Sequence, residues 1–426
     1  VIDLRLFRQD PAAFRRALVR RGDPGVVAQL DRLETLDREW RSLLAEVEAL
    51  KAERNLASEE VARRKRAGEP ADDLLGRLKL SGERVRVLDG ALREKEAELD
   101  RAGLVIPNLP HPAIPDGDAI ANRVVRSWGE PPRLGFAPRP HWELGESLRL
   151  FDLPRGAKVA GSGFPLFTGT GARLVRALAG FMLDLHIREH GYHEVAPPLL
   201  VNRVTMTGTG QLPKFEEDMY GLPVDDLLLI PTAEVPLTNI YRDEILSPSD
   251  LPIGLVAYTA CFRREAFSHG KDTRGLIRVH QFDKVELVRL VAAATSETEH
   301  GLLTGHAEAV LQRLGLPYRV IELAAGDTGF SAARTYDLEA WAPGVGAWLE
   351  VSSSSTFTDF QARRANLRYR PGAGAKPELV HTLNASALAF PRTIIALLEH
   401  YQNADGSVGV PPALVPYLGT DRLTVP

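Results

Sequence analysis

The sequence predicts an α+β protein, with an antiparallel-sheet domain behind an N-terminal antiparallel helical hairpin. Three observations carry this. Apolar residues recur at alternating three- and four-residue spacing through the first hundred positions, four prolines fall within 104–118, and beyond them short β-like runs alternate with helical ones in no regular βα order.

The hairpin comes first. Leu33, Leu36, Trp40, Leu43, Val47 and Leu50 are spaced 3-4-3-4-3, the seam of a helix that packs on another helix. Leu74, Leu78, Val85, Leu88, Leu92 and Leu99 form a second seam, interrupted at Ser81 and Lys95. Between them RRKRAGEPADD holds Gly68 and Pro70, both helix terminators. Two helices of about 35–40 residues would project about 50–60 Å. Gly76, Gly82 and Gly90 each cost about 1 kcal/mol against alanine and predict a less regular second helix. Such a hairpin suits dimerisation or spacing. Its tip, Arg63, Arg64, Lys65 and Arg66, is basic, although a run of four charges is usually a solvated face.

The proline-rich segment 105–118 reads as a stiff linker, dividing the chain into an N-terminal domain, 1–104, and a larger domain, 119–426. Hydrophobic residues make up 44% and charged residues 25%, which excludes disordered and collagen-like classes. The single cysteine, Cys261, has no intrachain partner, excludes a cysteine-built zinc site and fits a cytoplasmic setting. No apolar run approaches the roughly 18 residues of a membrane span, and VIDLRLFRQDP lacks the apolar core of a signal peptide. With 52 Lys+Arg against 56 Asp+Glu, the net charge of −4 does not by itself point to nucleic acid.

In the larger domain DLLLIPT, IGLVAYTACFRRE and VHQFDKVELVRL read as strands, the last pairing with a near neighbour, and ETEHGLLTGHAEAVLQRLG reads as a helix. No GxxxxGK[ST] loop, GxGxxG turn, HExxH or GxSxG occurs, so bound phosphates would be held by side chains, arginine above all. Arg263, Arg264, Arg274 and Arg278 cluster in FRREAFSHGKDTRGLIRVHQFDKVE. A hairpin with arginines on both strands and a Lys-bearing tip can clamp an anion. His280 and Phe282 fall on one strand face, where an aromatic ring can stack on a base. By composition alone the same segment also fits an exposed basic hairpin.

That segment resembles motif 2 of the class II aminoacyl-tRNA synthetases in its seryl form. HGYHEVAPP, 190–198, resembles motif 1, with Pro198 its hallmark, and LNASALAFPR, 383–392, resembles motif 3, ending in Arg392. GTGQLPKF, PTAEVPLTN and EVSSSSTFTDFQARR are each similar to segments particular to the seryl enzymes, and the hairpin to their tRNA-binding arm. The chain is thereby identified as a member of the seryl-tRNA synthetase family.

The resemblance implies a class II antiparallel-sheet catalytic domain that activates L-serine with ATP and Mg²⁺ and transfers it to tRNA-Ser. It implies a cytoplasmic homodimer, paired through motif 1, with no membrane partner. Catalytic roles fall on Arg263, Glu350 and Arg392. Arg263 would bridge the serine carboxylate and the α-phosphate, and Arg392 would hold the γ-phosphate and pack on adenine. ATP would further meet Arg264, Glu265, Val279, Phe282, Val351, Ser352 and Ser353, with Glu350 and Ser353 holding Mg²⁺. Serine would be held by Thr232, Glu234, Arg263, Glu286, Asn384 and Ser386, and tRNA by Arg63, Arg64, Lys65 and Arg66. No protein base is required, because a carboxylate is already a nucleophile near neutral pH.

Some positions depart from the family pattern. Ser354 replaces a usual cysteine, and Ala385, Ala387 and Pro391 replace motif 3 glycines, so the backbone there must avoid positive φ. Phe267 stands at a usual glycine in the motif 2 loop. The altered motif 3 leaves a second reading open, a paralogue activating serine or a related amino acid for a non-translational acceptor.

Overall fold

The computed structural model describes residues 2–266 and 274–425, and divides into two compact units. Phe267 and the Lys-bearing tip of the arginine-rich segment, Gly270 and Lys271, lie outside the described residues.

The first unit comprises 1–19 and 23–107. Helices α1 (Leu4–Gln9) and α2 (Pro11–Val19) precede the hairpin of α3 (Pro24–Ala67) and α4 (Asp72–Leu104). Asp23 starts α3 by accepting from the Gly25 amide at 2.8 Å, with Pro24 at the first helical position, where its missing N–H costs nothing. Gly68 ends it at φ 71°, a left-handed conformation that glycine adopts without strain. Leu33, Leu36, Val47, Leu74, Val85, Leu88 and Leu99 are buried along the seam, and Lys95 bonds Glu39 at 3.1 Å across it. The expected irregularity of the second helix is absent. Gly76, Gly82 and Gly90 sit inside one unbroken helix, and a Cβ added at any of them would meet nothing within 4 Å. The flanking apolar contacts outweigh three dispersed propensity costs.

The second unit comprises 20–22 and 108–426. Its centre is an eight-stranded sheet. In chain order the strands are β1 (Arg123–Trp128), β2 (His193–Glu194), β3 (Ile253–Phe262), β4 (Gln281–Val291), β5 (Tyr318–Glu322), β6 (Arg334–Ala342), β7 (Ala347–Thr358) and β8 (His381–Ala389). In space they run β1-β5-β6-β7-β8-β4-β3-β2. Every pair is antiparallel except β2 with β3, as an α+β reading requires. Helices α5 (Gly169–Arg188), α6 (Ser296–Arg313) and α7 (Phe390–His400) pack against it. Strand alternation separates the two faces. Val285 and Leu287 of β4 and Leu383, Ala385 and Ala387 of β8 enter the main core, leaving Lys284, Glu286, Asn384 and Ser386 on the other face.

Two departures from regular pairing matter. Leu338 pairs with Ser352 but Glu339 pairs with Glu350, so Val351 is an extra residue in β7. The register of β4 with β8 likewise shifts between Glu286–Ser386 and Lys284–Ala389. Leu388, inside that second bulge, has φ 109°. Ala385, Ala387 and Pro391 avoid positive φ, and the one strained position falls on a neighbour instead.

The proline-rich segment differs from a free linker. From Asn108 onward it belongs to the second unit, where the Asn108 amide bonds Phe330 O at 2.9 Å and the His111 amide bonds Ala333 O at 2.8 Å. Arg21 is buried among the same residues and donates to Asn108 O, Thr328 O, Gly329 O and Ala332 O at 2.5–3.1 Å. Burial lowers its pKa to about 10. Arg21→Met leaves these carbonyls without donors, at about 1–3 kcal/mol for each that water cannot reach. Urea unfolding should show a loss of at least about 3 kcal/mol, and a loss below about 1 kcal/mol would refute this account.

Candidate active site

A cavity of about 600 Å³ opens on the polar face of β4, β7 and β8. Thr232, Glu234, Arg263, Glu265, Val279, Phe282, Glu350, Val351, Ser352, Ser353, Asn384, Ser386 and Arg392 all line it. These residues come from several separated stretches of chain, which the sheet brings together.

Its floor is a buried polar network. Asn384 Nδ2 donates to Glu286 Oε1 at 2.8 Å and to Glu234 Oε2 at 2.9 Å. Lys284 Nζ lies 2.5 Å from Glu286 Oε2 and donates to Thr232 Oγ1 at 2.8 Å. Ser386 Oγ donates to Glu286 Oε2 at 3.4 Å. Gln361 Nε2 donates to Glu234 Oε1 at 2.6 Å, while Gln361 Oε1 accepts from Thr382 at 2.7 Å. Burial, then the charge of Glu286, raises the Glu234 pKa from 4.5 to about 7. A ligand ammonium here would meet carboxylates already stripped of water, where charge-assisted bonds are strong.

The rim carries the cations. Arg263 sits 5.2 Å from the centroid of Phe282 and donates to Pro231 O at 3.3 Å. Arg392 donates to Ile277 O at 3.2 Å and Glu350 O at 3.0 Å, and lies 3.3 Å from Glu350 Oε2. Glu265, at φ 53°, pairs with Arg278. The arginines do not stand on the strands as expected, since β3 ends at Phe262 and β4 begins at Gln281. They lie on the connecting chain, held there by the Arg263 amide to His280 O at 2.9 Å.

Glu350 and Ser353 would face opposite ways on a regular strand. The extra residue at Val351 turns them to the same side, and Val351 itself enters the core. Asp337 pairs with Ser353 across the strands, and its buried Oδ1 has no hydrogen-bond partner. Burial and the charge of Glu350 push its pKa well up. Among the described residues no group of three or more His, Cys, Asp or Glu is arranged to hold a metal. One exposed carboxylate and one hydroxyl nevertheless suit Mg²⁺, which keeps several waters and takes the rest of its shell from substrate phosphates.

Not every expected residue reaches the cavity. Arg264 turns away, its guanidinium 5.2 Å from the Tyr220 ring and its amide bonded to Asp218 O. Glu286 lies fully buried beneath the wall, where it accepts from Asn384 and Ser386. His280 packs on Phe164 instead of lining the pocket with Phe282. Pro198 is exposed, just after β2. In the first unit Arg63 and Arg64 both bond Glu60, at 2.8 and 3.0 Å, and Arg66 donates to Ala62 O. Sequence reasoning missed Lys284 and Gln361. Lys284 could have been found from its alternation with Phe282 and Glu286, whereas Gln361 carries no local signal.

The chain matches the tRNA synthetase class II core domain (G, H, P, S and T) over residues 218–401 and the seryl-tRNA synthetase N-terminal domain over 1–110. It is 56% identical over 418 residues to the serine–tRNA ligase of Gemmatimonas aurantiaca, covering 98% of both chains. The seryl-tRNA synthetase of Pyrococcus horikoshii, crystallised with ATP, superposes with a TM-score of 0.95 at 38% identity, covering all of both chains. The cytoplasmic serine–tRNA ligase of Naegleria fowleri, in complex with AMP, superposes at 0.86 and 30% identity, covering 98% of this chain and 96% of that one.

The buried Glu234 makes stability depend on pH. Between 4.5 and about 7 the folded protein keeps a proton that the unfolded chain has lost, so stability falls as pH rises and levels off above that window. Glu234→Gln removes this slope. The variant's stability minus that of the unaltered protein should climb across the window by on the order of 3 kcal/mol. Urea midpoints at a series of pH values check this, and a pH-independent offset would refute it.

Proposed function

The chain belongs to the seryl-tRNA synthetase family and activates serine with ATP before transferring it to tRNA-Ser, and we propose how its residues divide that work. The observation that carries the proposal is the gathering of Thr232, Glu234, Arg263, Glu350, Asn384, Ser386 and Arg392 around one cavity.

Serine binds at the floor. Its ammonium meets Glu234 and Thr232, and its hydroxyl reaches the network of Glu286, Asn384 and Ser386. The buried acceptors of that network are left unpaired by alanine, a mismatch that can be worth about 10⁴–10⁵-fold in discrimination. Arg263 stands between the serine carboxylate and the α-phosphate, lowering the repulsion of two anions. A carboxylate oxygen attacks the α-phosphorus, and pyrophosphate leaves. Arg263 and Arg392 stabilise the charge on the phosphoryl oxygens, so positioning and electrostatics replace a general base. Adenine lies against Phe282, with Glu265 accepting from its amine, Val279 offering backbone contacts and Val351 and Ser352 along the wall.

Glu350 and Ser353 would hold Mg²⁺, which would supply positive charge to offset that of the substrate phosphates. Glu350 is paired with Arg392, so a nucleotide phosphate that binds Arg392 competes with that pair. We further assign 1–104 to tRNA binding, with Arg63, Arg64, Lys65 and Arg66 meeting the tRNA backbone, 105–118 to the connection and 119–426 to catalysis. The exposed Pro198, Leu199 and Leu200 support pairing of two copies through this segment, as a cytoplasmic homodimer.

Arg263→Ala should lower serine-dependent ATP–pyrophosphate exchange by at least about 100-fold, by analogy with the loss of one transition-state donor. Retention of exchange would overturn its bridging role. Reversing the charges of Arg63, Arg64, Lys65 and Arg66 to glutamate should raise the KM for tRNA-Ser in charging assays while leaving pyrophosphate exchange unchanged. An unchanged KM for tRNA would remove the tip from the tRNA interface.

A further inference from the structure

A buried imidazole ties the 276–277 segment of the cavity wall to the helix that carries Arg392. His141 is fully buried and uses both ring nitrogens. Its Nδ1 lies 3.0 Å from Glu399 Oε1, and its Nε2 accepts the Leu276 amide at 3.0 Å. Because Nε2 accepts, the proton resides on Nδ1, and the ring is a neutral imidazole of one tautomer. The His141 amide also donates to Glu399 Oε1 at 2.8 Å. Glu399 Oε2 accepts from the amides of Gly344 and Val345 at 2.8 and 2.9 Å. The carboxylate is therefore saturated and rigid.

The residue after Leu276 is Ile277, whose carbonyl accepts from Arg392 Nε at 3.2 Å. Arg392 lies in the first turn of α7 and Glu399 in its last. One helix thus grips the 276–277 segment at both ends, directly through Arg392 and by way of His141 from Glu399. Gly275 closes the turn at φ 69°, where a Cβ would stand 2.2 Å from His141 Nε2. Arg278 and Val279, next along the chain, line the cavity.

We propose that His141 and Glu399 are positioning residues for nucleotide binding, setting the 275–279 backbone and through Ile277 the direction of Arg392. This rests on the reading that the Arg392 end of the cavity takes ATP. Two substitutions separate positioning from bulk stability. His141→Asn keeps a donor toward Glu399 but cannot reach Leu276, whereas His141→Gln keeps an acceptor for Leu276 but loses Glu399.

Isothermal titration of ATP into the full chain should show about ten-fold weaker binding for H141N, the net worth of one hydrogen bond, and binding within about two-fold of the unaltered protein for H141Q. H141Q should show the larger fall in Tm. Equal ATP affinity in the two variants would overturn the proposal, whatever their Tm. If H141N does not fold, Gly275→Ala displaces the imidazole from the other side, and unchanged ATP binding there overturns it equally. Absence of serine-dependent exchange in the unaltered protein would instead sink the functional reading, while the ATP affinities still decide the role of His141.

Discussion

Two buried carboxylates, Glu234 and Glu286, share one amide nitrogen, and much of the cavity follows from keeping them there. Buried charges are tolerated only when paired and hydrogen-bonded. Lys284, Asn384, Ser386 and Gln361 meet that demand within the protein. They do not meet it fully, since Glu234 titrates near 7. A bound ammonium would add a further cation to a network that already holds Lys284.

The sheet keeps this network in place by strict pairing, with Glu286 opposite Ser386 and Val288 opposite Asn384. Where chemistry needs a different direction, pairing is broken locally. The extra residue at Val351 brings Glu350 to the same side as Ser353, and the bulge at Leu388 leads from the polar floor of the cavity into the helix that bears Arg392. Each irregularity sits between regular stretches whose many hydrogen bonds hold it, as strained backbone requires. Family glycines in motif 3 are dispensable here because Ala385, Ala387 and Pro391 lie at ordinary φ and the unusual angle is confined to Leu388.

The residues legible in the sequence share one property. Either they repeat with the period of a secondary structure, as the hairpin leucines do, or they sit in short contiguous segments such as PTAEVPLTN. The illegible ones act across the fold. Arg21 satisfies carbonyls some three hundred positions away, Gln361 buttresses Glu234, and His141 links Glu399 to Leu276. Nothing in their neighbourhood distinguishes them from ordinary surface or core residues. Arg264 shows the converse, since motif context placed it with the nucleotide whereas its ring partner Tyr220 turns it away. The helix glycines misled because propensity is a local sum, and the packing that overrides it is not.

By itself the sequence determined the helical hairpin, the α+β class, the absence of a phosphate-binding loop and the family to which the motifs belong, because periodicity and contiguous motifs are local quantities. Only the tertiary structure decided that Glu350 and Ser353 share a face, that Glu286 lies buried beneath the wall, that the proline-rich segment from Asn108 onward is part of the second unit and that one helix grips the 276–277 segment twice. Those outcomes depend on strand register, burial and long-range hydrogen bonds, which exist only once distant segments meet.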